Sequence, residues 1–313
     1  MDSWSGRVLV TGASGFVGRA LVRRLLAGGR NVIAADVKEP VAPEEALGDR
    51  FIPMVASFDD YASLSDSLEE LGVQSVIHLA WAAPYGDGFS DARLQMKNIY
   101  AALDLIESCA RAGVGKFVFV STANQFEVTR LVLEESPSLR PTSVYGTCKL
   151  VADLLLKQKA QELGIEYCTG SLAMVYGPGD RSNKLPNVVA SQLVAGKSPR
   201  LIEGNGDYDL VYIDDVVEAL MRVLDSGVSS KTYYVGHRNL KTFRSWMERM
   251  GEAIAPDVEL RFGEFPDLGG IDYQYVDLEA LHRDTGFECA ADISESFRAT
   301  ADWIREEDPL GML

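Results

Sequence analysis

Short apolar runs at Arg7–Val10, Asn31–Ala35, Phe51–Val55, Ser75–Leu79, Phe117–Ser121 and Tyr167–Leu172 alternate along the chain with longer stretches near 16–27, 61–71, 91–112 and 143–163. The runs are short enough for buried strands. The stretches between them carry apolar positions at helical spacing and are long enough for crossover helices. Alternation of this kind predicts a parallel, doubly wound α/β sheet, which binds ligands at the carboxyl ends of its strands. Past residue 172 the pattern loosens. Tyr176-Gly177-Pro178-Gly179-Asp180 reads as a turn, and helices near 184–196 and 242–253 are separated by Gly204-Asn205-Gly206 and by extended pieces.

The first apolar run opens onto glycines. In Arg7-Val8-Leu9-Val10-Thr11-Gly12-Ala13-Ser14-Gly15-Phe16-Val17-Gly18 a strand passes through Gly12, Gly15 and Gly18 into an amphipathic helix, with Val17, Ala20, Leu21 and Leu25 on one side and Arg19, Arg23 and Arg24 elsewhere. Gly12 permits a sharp turn, Gly15 lets backbone N–H groups approach a pyrophosphate, and Gly18 lets the helix lie close to the sheet. Ser14, Phe16 and Val17 complete that cradle. The second run ends in Asp36, about 20 residues further on, where a carboxylate can accept hydrogen bonds from an adenosine ribose. Its charge would repel a 2′-phosphate, so the pattern points to NAD rather than NADP. The expected fold is α/β, a Rossmann-like doubly wound parallel sheet with a smaller, interleaved C-terminal substrate lobe. The NAD-binding domain is expected over 1–170, with late elements near 208–236 returning to it, and the substrate lobe over 171–207 and 237–313.

Tyr145 and Lys149 stand four residues apart in Ser143-Val144-Tyr145-Gly146-Thr147-Cys148-Lys149, on one face of an expected helix. A cation beside a phenol favours phenolate, which would let Tyr145 donate and accept a proton near neutral pH. Alone the pair would read as a surface helix pair; the glycine-rich opening gives it weight.

Composition narrows the class. With 313 residues and 47% apolar content the chain can bury a large core. It holds no 18-residue apolar run, and Met1-Asp2-Ser3-Trp4-Ser5-Gly6 lacks the basic and apolar regions of a signal peptide, so a cytoplasmic protein is expected. A net charge of −16 argues against nucleic acid or an anionic membrane as partner. Cys109, Cys148, Cys168 and Cys289 show no metal-like spacing, and neither a disulfide nor a bound metal is expected.

Taken together, Thr-Gly-x-x-Gly-x-x-Gly at 11–18, Asp36, His78-Leu79-Ala80, Asn98, Ser121-Thr122, Tyr145-x-x-x-Lys149 and Tyr176-Gly177-Pro178-Gly179 resemble the extended short-chain dehydrogenase/reductase family, over roughly residues 5 to 305. That family includes NAD-dependent nucleotide-sugar epimerases, dehydratases and ketoreductases. The resemblance implies that Tyr145 is the acid/base and that Lys149 lowers its pKa while bonding the nicotinamide ribose. It implies that Thr122 hydrogen-bonds the reacting hydroxyl or carbonyl, with Ser121 as backup. Ser57, Leu79 and Ala80 would join the cofactor contacts. A phenol and a hydroxyl converging on one oxygen also suit the chemistry, since hydride leaves a carbon only if its oxygen loses a proton in step. Relatives are often dimers through two helices including that of Tyr145, and Val151, Ala152, Leu154, Leu155 and Leu156 allow a homodimer here.

Around this centre the roles are more open. Trp81 and Tyr85 lie in a segment, 81–89, whose aromatics could stack on a sugar or base or merely pack. Asn98 reads equally as part of a substrate or backbone network and as a helix-start residue. His78 reads as a buried strand side chain rather than a catalytic group.

The chain departs from the family in ways that bear on substrate. The 4,6-dehydratases carry Asp-Glu after the catalytic threonine, and here Ala123-Asn124 stands there, which argues against dehydration by that mechanism. Many relatives have an aspartate for the adenine amino group where Ser57 aligns, with Asp59 two residues later. Relatives that bind sugar nucleotides usually have Arg and Asn before the Tyr-Gly-Pro turn, where this chain has Ser171 and Met174, and usually another arginine near the position of Tyr208. A diphosphate normally wants guanidinium partners, and Arg181 is the remaining candidate, with Arg200 and Lys184 weaker ones. Asn124, Met174, Arg181 and Tyr208 thus join Trp81, Tyr85 and Thr122 as candidate contacts to a sugar or sugar-nucleotide substrate. The leading expectation is a nucleotide-sugar epimerase. A ketoreductase or dehydrogenase of a nucleotide sugar, free sugar or sugar acid would use the same residues. A non-catalytic dinucleotide-binding protein would typically have lost the tyrosine or the lysine.

Overall fold

The computed structural model describes residues 6–46, 48–133, 143–267 and 270–312. Met1–Ser5, read above as part of a segment lacking a signal peptide, lie outside the described residues. The first half runs β1 (Arg7–Thr11), α1 (Phe16–Ala27), β2 (Asn31–Asp36), β3 (Phe51–Val55), α2 (Ser65–Glu70), β4 (Val73–His78), α3 (Ala92–Arg111), β5 (Lys116–Thr122), α4 (Asn124–Leu133), α5 (Val144–Leu163) and β6 (Glu166–Leu172). Two details differ from the sequence pattern. The helix expected over 61–71 is split into a 3-10 turn at Phe58–Ser63 and α2, because Ser57 and Asp60 cap that turn reciprocally. Helix α4 was not foreseen, since a short helix directly after a strand has little room to establish a period.

The second half runs β7 (Met174–Tyr176), α6 (Leu185–Val194), β8 (Arg200–Ile202), β9 (Asp207–Tyr208), β10 (Leu210–Tyr212), α7 (Ile213–Ser226), β11 (Thr232–Val235), β12 (Lys241–Thr242), α8 (Phe243–Ile254), β13 (Arg261–Phe265), α9 (Ala280–Thr285) and α10 (Ile293–Glu307). Seven strands form one parallel sheet in the order β11-β6-β5-β4-β1-β2-β3. The chain winds outward from β1 to β3, then crosses back to β4, so the order reverses between β1 and β4. That reversal opens a crevice at the strands' carboxyl ends.

The central strands are largely apolar because helices cover both faces of the sheet. Successive residues of β1 show it: Val8 and Val10 join one core with Leu21 and Leu25 of α1 and Leu220 and Val223 of α7. Leu9, pointing the other way, joins a second core with Leu105 of α3 and Leu156 of α5. A third core, outside the sheet, gathers Val189 and Leu193 of α6, Trp246 and Met250 of α8, and Phe297 and Ile304 of α10. Fully burying each such side chain stabilises the fold by about 1.5–3 kcal/mol. No helix among the described residues is long and apolar enough to cross a membrane.

Candidate functional site

At the crevice, β1 and β4 are tied together. The Thr11 hydroxyl lies 2.7 Å from His78 Nδ1 and accepts from the Ala80 amide at 3.3 Å, while the Leu79 amide donates to the Thr11 carbonyl at 3.2 Å. Gly12 turns off β1 at φ +69°, and a Cβ there would sit 2.8 Å from the Ala80 nitrogen. A Cβ on Gly18 would sit 2.1 Å from the Gly12 carbonyl oxygen, so α1 can approach β1 this closely only without a side chain. Gly15 is the N-cap of α1 and offers no side-chain cap, which leaves the first-turn amides aimed into the crevice for an anion. Asp36, at the end of β2, accepts from the Ser14 amide at 2.9 Å and from the Val37 amide at 2.8 Å. Two amides fix the carboxylate and leave it lone pairs for a ribose diol. An amide-lined turn for a pyrophosphate beside a fixed acceptor for a ribose fits a dinucleotide.

A cleft of about 990 Å³ runs along these groups, at the upper end for ligand sites. Every residue expected to hold the cofactor lines it: Gly12, Ser14, Gly15, Phe16, Val17, Gly18, Asp36, Ser57, Leu79, Ala80, Ser121, Tyr145 and Lys149. Trp81 and Tyr85 line it too. Ser57 reaches it with its hydroxyl already spent, since its amide and Oγ both donate to the Asp60 carboxylate at 2.7 Å. Asp59 lines the cleft on the same side.

The tyrosine and lysine come from the start of α5, which begins at Ser143, whose Oγ accepts from the Gly146 amide at 2.9 Å. Lys149 is buried, and its ammonium donates to the Val120 carbonyl at 2.7 Å. The same nitrogen lies 3.9 Å from the ring centre of Trp81 and 4.7 Å from that of Phe119, but 6.0 Å from that of Tyr145. The Tyr145 ring packs on Phe89 at 5.0 Å and against Trp81 at 6.3 Å. These apolar surroundings push the phenol up to about 12, and the Thr122 hydroxyl beside it pulls it partly back. Burial holds Lys149 well below the ordinary lysine range. Burial and Thr122 are what set this phenol here, with the Lys149 nitrogen 6.0 Å from its ring centre. Desolvation disfavours the charged form of both groups, the phenolate and the ammonium.

Thr122 ends β5, its Oγ1 donating to Asn124 Oδ1 at 3.2 Å. Ser121 is less free than expected, because its buried hydroxyl donates to Gln125 Oε1 at 2.6 Å. Asn98 is buried and serves the backbone network: Oδ1 accepts from the Ala82 amide at 2.6 Å and Nδ2 donates to the Ala82 carbonyl at 3.3 Å. His78 is buried among Tyr61, Phe117 and Phe119, which pushes its ring down to about 3 and keeps it neutral.

Several candidate substrate contacts stand away from the cleft lining. Arg181 pairs with Glu307 and lies over the Trp303 ring of α10 at 5.7 Å. Arg200 pairs with Glu264 at 3.3 Å. Tyr208 packs edge-on to Phe243 at 5.2 Å, and Met174 packs against the third core. Thr122 and Asn124 are not part of the cleft lining, while Ser121 and Tyr145 are. In their place the structure brings Lys97, Tyr100, Asp104, Asp180 and Lys184 to the cleft, with Lys184 Nζ 5.6 Å from the Tyr85 ring centre. Of these, Lys184 carried a sequence signal, as a cation following the Tyr-Gly-Pro turn. The α3 residues did not, since a polar helix face looks solvated wherever it points.

Known proteins resemble this chain over most of its length. The model of the NAD dependent epimerase/dehydratase family matches residues 8–236. The UDP-glucose 4-epimerase of Mycolicibacterium smegmatis is 26% identical over 312 residues, covering 96% of this chain and 99% of that protein. An uncharacterized UDP-glucose epimerase of Bacillus subtilis is 31% identical over 234 residues, 70% of this chain and 72% of that protein. The solved UDP-glucose 4-epimerase of Thermus thermophilus in complex with NAD has a TM-score of 0.74 at 25% identity, covering 96% of this chain and 99% of that one.

Proposed function

Since the chain belongs to the NAD dependent epimerase/dehydratase family, and is an NAD-dependent enzyme of the extended short-chain dehydrogenase/reductase type, we propose that it epimerises a sugar nucleotide by transient oxidation of a ring hydroxyl. The observation that carries this reading is the meeting of Tyr145, Lys149 and Thr122 beside a dinucleotide-shaped cleft. Asp36 would hold the adenosine ribose, the first-turn amides of α1 the pyrophosphate, and Lys149 the second ribose. Bound there, NAD supplies the hydride acceptor and afterwards the donor. Tyr145 takes the hydroxyl proton and later returns it, while Thr122 hydrogen-bonds the same oxygen. A phenol near 12 is a reluctant acid, and in this reading the positive charge of Lys149 favours phenolate once cofactor and substrate are bound beside it. Trp81 and Tyr85 form the substrate wall. Lys184, the N-cap of α6, is the cation at the substrate end that suits a diphosphate.

Ala123 and Asn124 supply no carboxylate for water loss, so 4,6-dehydration is not part of this proposal. One observation favours a second reading, a ketoreductase or dehydrogenase whose substrate has no nucleotide. Arg181 and Arg200 both pair outside the cleft, leaving Lys97, Lys149 and Lys184 as its cations among the described residues. We also propose a homodimer through α3 and α5, where Met96, Val151, Leu154 and Leu155 are exposed; Ala152 and Leu156, also expected at that surface, are instead buried in the second core.

The test is to measure the nicotinamide released from purified protein and to incubate it with UDP-, dTDP- and GDP-sugars, following inversion by NMR. Retained NAD with inversion supports an epimerase; an empty site with substrate-dependent absorbance at the reduced-nicotinamide band supports the second reading. Tyr145→Phe should abolish turnover while leaving NAD affinity largely intact. Undiminished turnover in that variant would sink the mechanism.

A further inference from the structure

Lys149 is nearly inaccessible, and among the described residues no carboxylate pairs with it. Its ammonium has one carbonyl acceptor, Val120, for three N–H donors. What faces it otherwise is aromatic: the Trp81 ring at 3.9 Å, with the loop after β4, and the Phe119 ring at 4.7 Å, from β5. The titratable groups facing it are Tyr145 on its own helix and neutral His78 on β4. The cleft's carboxylates, Asp36, Asp59, Asp104 and Asp180, line the same space without pairing to it.

The indole is held as firmly as the lysine. Trp81 Nε1 donates to Gln95 Oε1 at 2.7 Å. Gln95 is fully buried on α3, and its Nε2 donates to the Ala83 carbonyl at 2.8 Å and to the Gly88 carbonyl at 2.9 Å. One carboxamide therefore fixes the ring and both ends of the segment behind it, including Ala83 at φ +52°. The next residue, Phe89, rests on the Tyr145 ring.

We infer that Trp81 is a positioning residue for Lys149. With Phe119 it forms an aromatic half-cage that keeps the ammonium charged where no counter-ion stands, and Gln95 sets the indole in that orientation. The quadrupole of each ring face attracts a cation and does nothing for a neutral amine, so the cage opposes the desolvation that would otherwise discharge Lys149. The inference rests on the reading of Lys149 as the partner of Tyr145 given above, but its test does not need turnover.

The experiment is an NMR titration of ¹³Cε-labelled lysine in the full-length protein, with the Lys149 resonance assigned by its loss in Lys149→Met. In Trp81→Leu the Lys149 midpoint should fall by about 1.5 pH units, the size of a desolvated cation–π contact. Trp81→Phe, which keeps a ring face, should recover at least half of that shift. The alkaline limb of the kcat profile should move down with the midpoint. An unmoved Lys149 midpoint in folded Trp81→Leu overturns the inference, as does an equal fall in Trp81→Phe. If Trp81→Leu does not fold, Gln95→Met keeps the indole but releases it, and the midpoint should still drop; no drop there also overturns it. A shifted midpoint in a protein that turns over no sugar nucleotide supports the cage and counts against the epimerase instead.

Discussion

His78 should make this protein lose stability as the pH falls, in an amount that can be isolated. The ring sits among Tyr61, Phe117 and Phe119 with centroids 5.8 to 6.1 Å away, and its Nδ1 lies 2.7 Å from the Thr11 hydroxyl. Burial, and then the charge of Lys149, lower its pKa from 6.5 to about 3. A folded-state pKa below the unfolded one means that the unfolded chain binds one more proton between those two values. The neutral histidine's contribution is therefore fully present above pH 6.5 and is lost as the pH falls toward 3, at about 1.4 kcal/mol per pH unit. From pH 7.5 to 5.5 that integrates to about 1.4 kcal/mol. His78→Asn retains a polar atom near the place of Nδ1 but cannot titrate. Urea unfolding of both proteins at the two pH values gives the number, because the other ionisable groups cancel in the difference. Staying above pH 5 keeps clear of the isoelectric point near 4.7. The wild-type advantage over His78→Asn should shrink by about 1.4 kcal/mol at the lower pH. A difference that does not change with pH would refute the reasoning, by showing that the ring is not held neutral by burial.

Three further outcomes follow from named contacts. Asp36→Ala removes the carboxylate held by the Ser14 and Val37 amides and should relax discrimination against NADP by on the order of a hundredfold in the ratio of binding constants, as calorimetry can measure. An unchanged preference would mean that Asp36 does not face the ribose. Gly18→Ala puts a methyl 2.1 Å from the Gly12 carbonyl oxygen, where only backbone can give way; it should cost about 1–3 kcal/mol or more and weaken NAD binding, read by denaturation and titration together. Asp153, buried on α5, accepts from Tyr167 Oη at 3.0 Å, Thr169 Oγ1 at 2.5 Å and Thr232 Oγ1 at 2.8 Å, linking α5 to β6 and β11. Asp153→Ala removes the acceptor that all three hydroxyls share and should cost about 3–5 kcal/mol in a denaturation curve, a loss below about 1 kcal/mol counting against the network.

By itself the sequence determined the sheet and the dinucleotide end of the cleft. Strand, glycine turn, helix and acid follow one another within the stretch from Arg7 to Asp36, so period and local backbone freedom are enough to place them. The Tyr145–Lys149 pair was legible for the same reason, being one turn of one helix. Only the tertiary structure decided what surrounds that pair. Whether Lys149 meets a phenol, a carboxylate or a ring depends on Trp81 and Phe119, which come from other elements, and on Gln95, whose place on α3 reads in sequence as an ordinary polar position. The surroundings of the cations past the Tyr176–Asp180 turn were likewise decided by folding: Arg181 pairs with Glu307, 126 residues away, while Lys184 lines the cleft. Local rules carry a residue's spacing and backbone, while its dielectric surroundings and charged neighbours come from segments far apart in the chain, and those surroundings set the chemistry.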